Sequence, residues 1–259
     1  MQGNDEHSET VVFFSILFDP EQNALENIQN ANRFGYKSVV YINRASSQFI
    51  ADLNSLDVIV LGRNKNFGIG VAFSELEDYL KEYGIEYFLY FDQDTAVADH
   101  AWKYIQYSYK EFFSSPEIGL VFYGSNKSSY SKLVVSSGCL FSMGVIRKLG
   151  NHDSTFFVEG VDYEFCLRLK NSNYKIRNVY LESIDHLTLQ NGNSLTKFGF
   201  EVNIRIYGNK RLKDFNISHI KLIGSSFALG QYEMALLFVR SMVAFNVSEF
   251  VSRVLTRVF

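Results

Sequence analysis

Apolar and polar positions fall into two alternating kinds of block along the first ninety residues. Val11 to Phe18, Lys37 to Ile42, Asp57 to Leu61 and Phe88 to Phe91 are short runs rich in β-branched and aromatic residues, the pattern of buried strands. Between them lie stretches with helical spacing. Glu21 to Phe34 carries Leu25, Ile28 and Ala31 on one face, with Gly35 just past its end. Ser47 to Leu53 reads as a short helix and Val71 to Tyr83 as a longer one. This βαβαβαβ order predicts an α/β fold with a mostly parallel central sheet and helices on both faces. Right-handed crossovers then gather the strand ends at one edge.

The pattern changes further on. Asp99 to Phe113 predicts a helix, Ile118 to Tyr123 a strand, and Lys132 to Ser136 another strand ending at Ser137-Gly138. Met143 to Leu149 predicts a helix closed by Gly150, Asp153 to Phe157 a loop, Val161 to Leu169 a helix and Tyr174 to Leu181 a strand. Glu182 to Asn193 is polar and loop-like, and helices are expected to dominate from Thr196. The last stretch, Tyr232 to Phe259, is strongly apolar with Arg240, Arg253 and Arg257 interspersed. It suits a packed helix pair, an oligomer contact or an amphipathic segment on a membrane.

Composition narrows the class. With 47% apolar and 20% charged residues, the 259-residue chain can build a full soluble core. The 24 Phe and 16 Tyr can fill that core or line a pocket for a ring-shaped ligand. A net charge of −3 gives no general pull toward nucleic acid. Cys139 and Cys166 make neither a disulfide scaffold nor a metal cluster, so a reducing, intracellular location is the simplest expectation. Met1 to Thr10 lacks the pattern of a signal peptide, and no uninterrupted apolar run reaches the ~20 residues of a spanning helix.

Chemistry concentrates where the strand around Phe88 to Phe91 ends in Asp92-Gln93-Asp94-Thr95. Carboxylates two apart on extended chain project to one side, which suits a hard divalent cation and the diphosphate it carries. The same residues also suit a helix cap. Asp162 lies near the start of a helix, where a carboxylate stays ionised as a base must, or serves as the N-cap. Glu164 and Arg168 are four apart and can pair. His186 follows the last predicted strand, as a third metal ligand beside Asp94 or as an ordinary surface residue. Ser136-Ser137-Gly138 leaves room for a sugar or forms a plain turn. Gly68-Ile69-Gly70 is a fragment of a dinucleotide fingerprint without its third glycine, so close backbone approach is the better reading.

In this order these elements resemble family 2 glycosyltransferases of the GT-A fold, and most of all their rhamnosyltransferase-like branch. The resemblance runs through Leu17-Phe18-Asp19-Pro20, Asn43-Arg44-Ala45-Ser46, Asn66 to Ala72, Phe91 to Thr95, Ser136 to Gly138, Phe157 to Arg168 and His186, about residues 11 to 190. It implies a catalytic domain over residues 1–195, nucleotide-binding in 11–95 and acceptor-binding in 96–195, with a C-terminal helical extension over 196–259. It further implies donor contacts from Asp19, Asn43, Asn66, Gly68, Asp92 and Gln93, and a sugar or acceptor pocket at Ser137, Gly138, Phe157 and Glu164. Asp94 and His186 would hold Mn2+ or Mg2+, and Asp162 would be the general base of an inverting transfer. The donor would be a dTDP-rhamnose-like or UDP-sugar, and the acceptor an oligosaccharide or lipid-linked saccharide at the cytoplasmic face of the membrane. Two departures stand out: the family often has Asn at Asp19, and an Asp-Asn pair at Asn43-Arg44. The altered Asn43-Arg44 motivates a second reading, a non-catalytic saccharide- or nucleotide-binding protein with the same fold. A sugar-nucleotide nucleotidyltransferase ranks lower, because Asp19-Pro20-Glu21 replaces the basic Gly-rich loop expected there.

Overall fold

In the computed structural model, residues 11–125, 127–182, 184–186, 194–197, 200–203 and 208–258 are described. The chain runs β1 (Val12–Phe18), α1 (Gln22–Arg33), β2 (Lys37–Arg44), α2 (Ser47–Leu53), β3 (Val58–Leu61), α3 (Ile69–Glu82), β4 (Tyr87–Tyr90) and β5 (Thr95–Val97). It continues through α4 (Asp99–Phe113), β6 (Ile118–Gly124), β7 (Tyr130–Ser131), β8 (Cys139–Ser142), α5 (Met143–Leu149), α6 (Val161–Asn171) and β9 (Lys175–Tyr180). The rest comprises β10 (Ile184–His186), the hairpin β11 (Ser194–Lys197) and β12 (Phe200–Asn203), α7 (Asn209–Ala228) and α8 (Tyr232–Val258).

The main sheet has the order β3-β2-β1-β4-β8-β6-β9-β7. β1 pairs in parallel with both β2 and β4, so the strand order reverses between them. At such a switch point two loops diverge and leave a crevice outside the carboxyl ends of the strands. β1 is buried on both faces. Val12, Phe14 and Ile16 point into the core beneath α3, α5 and α6, while Phe13 and Leu17 point into the core beneath α1, α2 and α4. This explains the continuous apolar run that marked the strand in the sequence.

The second half departs from expectation. Lys132 to Ser136 is not a strand; the strand is β8, antiparallel to both β4 and β6. Val134 and Val135 have the β-branched content of a strand. The ladder instead starts after Gly138, whose φ of +89° turns the chain into register. β10 lies inside the stretch expected to be loop, paired antiparallel with β5. The hairpin β11–β12 precedes the C-terminal helices, which begin at Asn209, and the expected boundary at residue 195 falls within β11. Leu222 of α7 and Met234 and Phe238 of α8 join the core beneath α3, α5 and α6, so the helical extension packs on the sheet domain. α8 also presents a largely exposed apolar face, and by length and composition Tyr232–Val254 could cross a membrane despite its interrupted sequence.

Candidate active site

The site forms where β4 ends beside β1. Gln93 bridges the two strand ends. Its Oε1 accepts from the Phe18 N–H at 2.7 Å, and its Nε2 donates to the Phe18 carbonyl at 3.0 Å. Asp92 turns inward, where its Oδ1 accepts the Tyr90 hydroxyl at 2.6 Å. Tyr90 is fully buried, and burial with the nearby Asp92 carboxylate holds its hydroxyl protonated as a donor. Asp94 is half-buried on the same segment, between Gln93 and the buried Thr95.

The Ser136-Ser137-Gly138 turn joins this edge to the start of α6. Ser137 Oγ accepts the Asp92 N–H at 2.9 Å and lies 3.0 Å from Thr95 Oγ1. The Ser136 N–H donates to Asp162 Oδ2 at 3.2 Å. The Gly138 N–H donates to the Tyr90 carbonyl at 2.9 Å, and a Cβ at Gly138 would stand 2.4 Å from the Tyr123 carbonyl. The backbone of Asp92 and the carboxylate of Asp162, 70 residues apart in sequence, therefore hang on consecutive residues of one turn.

Asp162 is the second residue of α6. The helix is capped by Gly160 in the left-handed region, so Asp162 is not its N-cap. Burial pushes the Asp162 carboxyl up to about 6, helped by the nearby Asp92 and opposed by hydrogen bonds from its own and the Ser136 N–H. The expected stabilisation of its charge by the helix end is outweighed. The group remains mostly ionised at neutral pH and close to the value at which a base works best.

The glycine-containing loop before α3 packs on the loop before α6. A Cβ at Gly68 would stand 2.3 Å from the Phe157 carbonyl, and one at Gly70 would stand 2.4 Å from the Phe156 carbonyl. The Ile69 N–H donates to the same Phe157 carbonyl at 2.5 Å. Close backbone approach is thus what these glycines permit. Asn43 is buried and holds this loop: its Oδ1 accepts the Phe67 N–H at 3.0 Å and its Nδ2 donates to the Gly68 carbonyl at 3.4 Å. Asn66 Oδ1 caps the Gly68 N–H at 3.0 Å. The Phe157 ring is half exposed beside Gly68.

The two departures from the family pattern meet each other. Arg44 Nε donates to Asp19 Oδ1 at 2.6 Å and Nη2 to Oδ2, and these bonds hold the Asp19 carboxyl below its usual range. Glu164 pairs with Arg168, as its spacing suggested, at 2.7 and 2.8 Å. Arg168 in turn donates to the carbonyls of Leu149 and Gly150, so Glu164 supports that turn.

The pairing of β10 with β5 places the backbone of His186 opposite Thr95, the neighbour of Asp94. The imidazole itself lies outside the described residues. Among the described side chains, no group of three or more His, Cys, Asp or Glu gathers around a possible ion. Sequence reasoning missed Tyr90, although its position two before Asp92 put both on one side of the strand. It also missed Asp214 of α7, whose carboxylate accepts the Val158 and Glu159 N–H groups at 3.2 and 3.0 Å. No local pattern could have revealed that contact.

No family model matches the chain. Over 147 residues it is 29% identical to the dTDP-rhamnosyl transferase RfbF of Shigella flexneri, which covers 47% of this chain and 49% of that protein. The chain spans about half the length of the curated relative it matches. Its structure is similar to residues 1–349 of S. aureus TarS, with a TM-score of 0.50 and 12% identity over 67% of this chain and 60% of that one. It is also similar to glucosyl-3-phosphoglycerate synthase from Mycobacterium tuberculosis, solved with Mn2+, UDP and phosphoglyceric acid. Here the TM-score is 0.51, with 13% identity over 68% and 70% of the two chains. The fold is GT-A, and the resemblance to rhamnosyltransferase-like family 2 enzymes is matched by the curated relative.

Proposed function

We propose, from its GT-A fold and its likeness to a dTDP-rhamnosyl transferase, that this chain is an inverting, metal-dependent glycosyltransferase. It would move a sugar from a dTDP-rhamnose-like or UDP-sugar donor to a saccharide acceptor in bacterial surface polysaccharide synthesis. The observation that carries this reading is the Ser136-Ser137 turn, which ties the donor carboxylate segment to the Asp162 carboxylate.

The donor nucleotide would lie in the crevice between Asp19 and Asp92, shaped by Gln93 and by the Asn66 to Gly68 loop that Asn43 holds. Asp92 would contact the ribose and sugar. Asp94 would hold Mn2+ or Mg2+, with His186, whose backbone lies opposite Thr95, as a second ligand. Such an ion supplies positive charge against the leaving diphosphate when bound. The acceptor would enter over Ser137, Gly138 and Phe157. Asp162 takes the proton of the acceptor hydroxyl, whose oxygen bonds to the anomeric carbon as the bond to the diphosphate breaks on the opposite face. The base works only if held within reach of that hydroxyl, which the Ser136 N–H and the buried start of α6 favour.

The Asp19–Arg44 pair gives a local account of those two residues, and Asn43 is taken up in holding the loop before α3. The acceptor as a lipid-linked saccharide at the cytoplasmic face, with α8 as a peripheral membrane contact, completes the reading. The test is donor-dependent transfer or donor hydrolysis with Mn2+ or Mg2+, with and without chelator. Asp94→Ala and Asp162→Asn are each expected to lower kcat by about a hundredfold or more. Full activity in either variant refutes the assignment, and calorimetric donor binding without turnover over any acceptor favours the binding-protein reading.

A further inference from the structure

A buried acid–imidazole pair stands beside Asp162. His152 has no exposed surface, and its ring is sandwiched between Phe73 and Phe165 at centroid distances of 4.5 and 4.3 Å. Glu77 of α3 is equally buried and grips it twice. Glu77 Oε2 accepts the backbone N–H of His152 at 2.8 Å, and Oε1 meets Nδ1. An acceptor at Nδ1 fixes the proton there and fixes the ring, as a carboxylate does behind any working imidazole.

The other nitrogen, Nε2, is buried with no hydrogen-bond partner among the described residues, and so is Ser136 Oγ. His152, Ser136 and Asp162 line one crevice, too narrow to admit a water, with Cys139, Phe165 and Cys166. A buried polar nitrogen left unanswered is costly, and of these lining groups the carboxyl of Asp162 is the strongest partner. The other titratable groups here are the two thiols, which burial keeps protonated. Facing Asp162 from elsewhere are Asp92, Tyr90 and Tyr163. Arg168 stacks on the Phe165 ring at 5.1 Å but is taken by Glu164, and Lys81 and Asp78 bind the neighbouring Asn151. No Lys or Arg side chain lines the crevice.

Resting on the reading of Asp162 as the base, we propose that Glu77 and His152 are its positioning pair: Glu77 fixes the imidazole so that its ring supports the Asp162 carboxylate across the crevice they both line. His152 opposes the rise that burial imposes on Asp162.

The pair is tested by the pH profile of kcat/KM in Glu77→Gln and His152→Phe. The acid limb is expected to move up by about one pH unit, giving roughly a fivefold loss near pH 6 and wild-type rates near pH 9, with donor KM unchanged. A loss that is equal at every pH, or an unmoved limb, overturns the proposal. A second measurement needs no folded core variant. In the chain labelled with 15N-histidine, the His152 Nε2 resonance at one fixed pH is expected to move on Asp162→Asn. A His152 signal indifferent to Asp162→Asn overturns the pair. If Asp162→Asn retains full transfer activity, the catalytic reading falls while the NMR comparison still decides the contact.

Discussion

Asp162 begins α6, where a helix end favours a carboxylate, yet burial sets its pKa near 6. The native group therefore binds a proton more tightly than the unfolded one, whose value is 3.8. Its contribution to stability is full below about pH 4 and is lost as pH rises through about 6. The shift is worth roughly 3 kcal/mol at neutral pH. Asp162→Asn keeps an acceptor for the Ser136 N–H and removes the buried charge. Its melting temperature at pH 7.5 should rise by several degrees while transfer activity collapses, and the gain should shrink toward pH 4. An unchanged melting temperature in calorimetric scans at the two pH values would contradict this account. At this scale the sequence revealed which residues carry charge at strand and helix ends: Asp92, Asp94 and Asp162. It did not reveal their partners. Asn43 reads as a nucleotide contact, but a loop 24 residues on takes up its amide. Gln93 has no reading beyond the family resemblance until β1 lies beside it.

The loop from Asp153 to Gly160 depends on a helix that no local pattern connects with it. Asp214 on α7 receives the Val158 and Glu159 N–H groups, Arg211 pairs with Glu159 at 2.8 Å, and Lys221 donates to the Thr155 carbonyl at 2.7 Å. α7 thus holds the loop that leads into Asp162. Asp214→Ala removes two hydrogen bonds to a charged acceptor, each worth roughly 1.5–3 kcal/mol. We expect kcat to fall about tenfold with donor affinity unchanged, and Asp214→Asn to restore much of it; steady-state kinetics beside far-UV circular dichroism check both. The βαβ half was legible because β1, β2 and β4 are buried on both faces and each helix has its own period. β8 and β10 were not, since each is short and owes its state to neighbours: β8 lies between β4 and β6, and β10 lies against β5.

For the whole molecule, the open question posed by the sequence was what the apolar tail does, and packing answers for one side of it. Met234, Ala235 and Phe238 of α8 are buried, while Leu236, Val243, Val247, Phe250 and Val254 are exposed. The exposed set recurs at spacings of three, four and seven, one continuous stripe along the helix. Ile220 and Phe227 add exposed apolar surface on α7. The stripe exceeds the scattered apolar residues normal on a monomer surface. Exposed Arg240 lies within it, as suits a helix that sinks its apolar side among anionic headgroups and keeps a cation at their level. Val247→Glu with Phe250→Glu should therefore abolish co-flotation with anionic vesicles. Each apolar side chain withdrawn from lipid costs roughly 1.5–3 kcal/mol, so affinity should drop about a hundredfold or more. Donor hydrolysis in solution should be unchanged, because neither residue touches the strand-end crevice. If the wild-type chain ignores vesicles but sediments as a dimer that the double variant dissociates, the stripe is a contact between two copies instead.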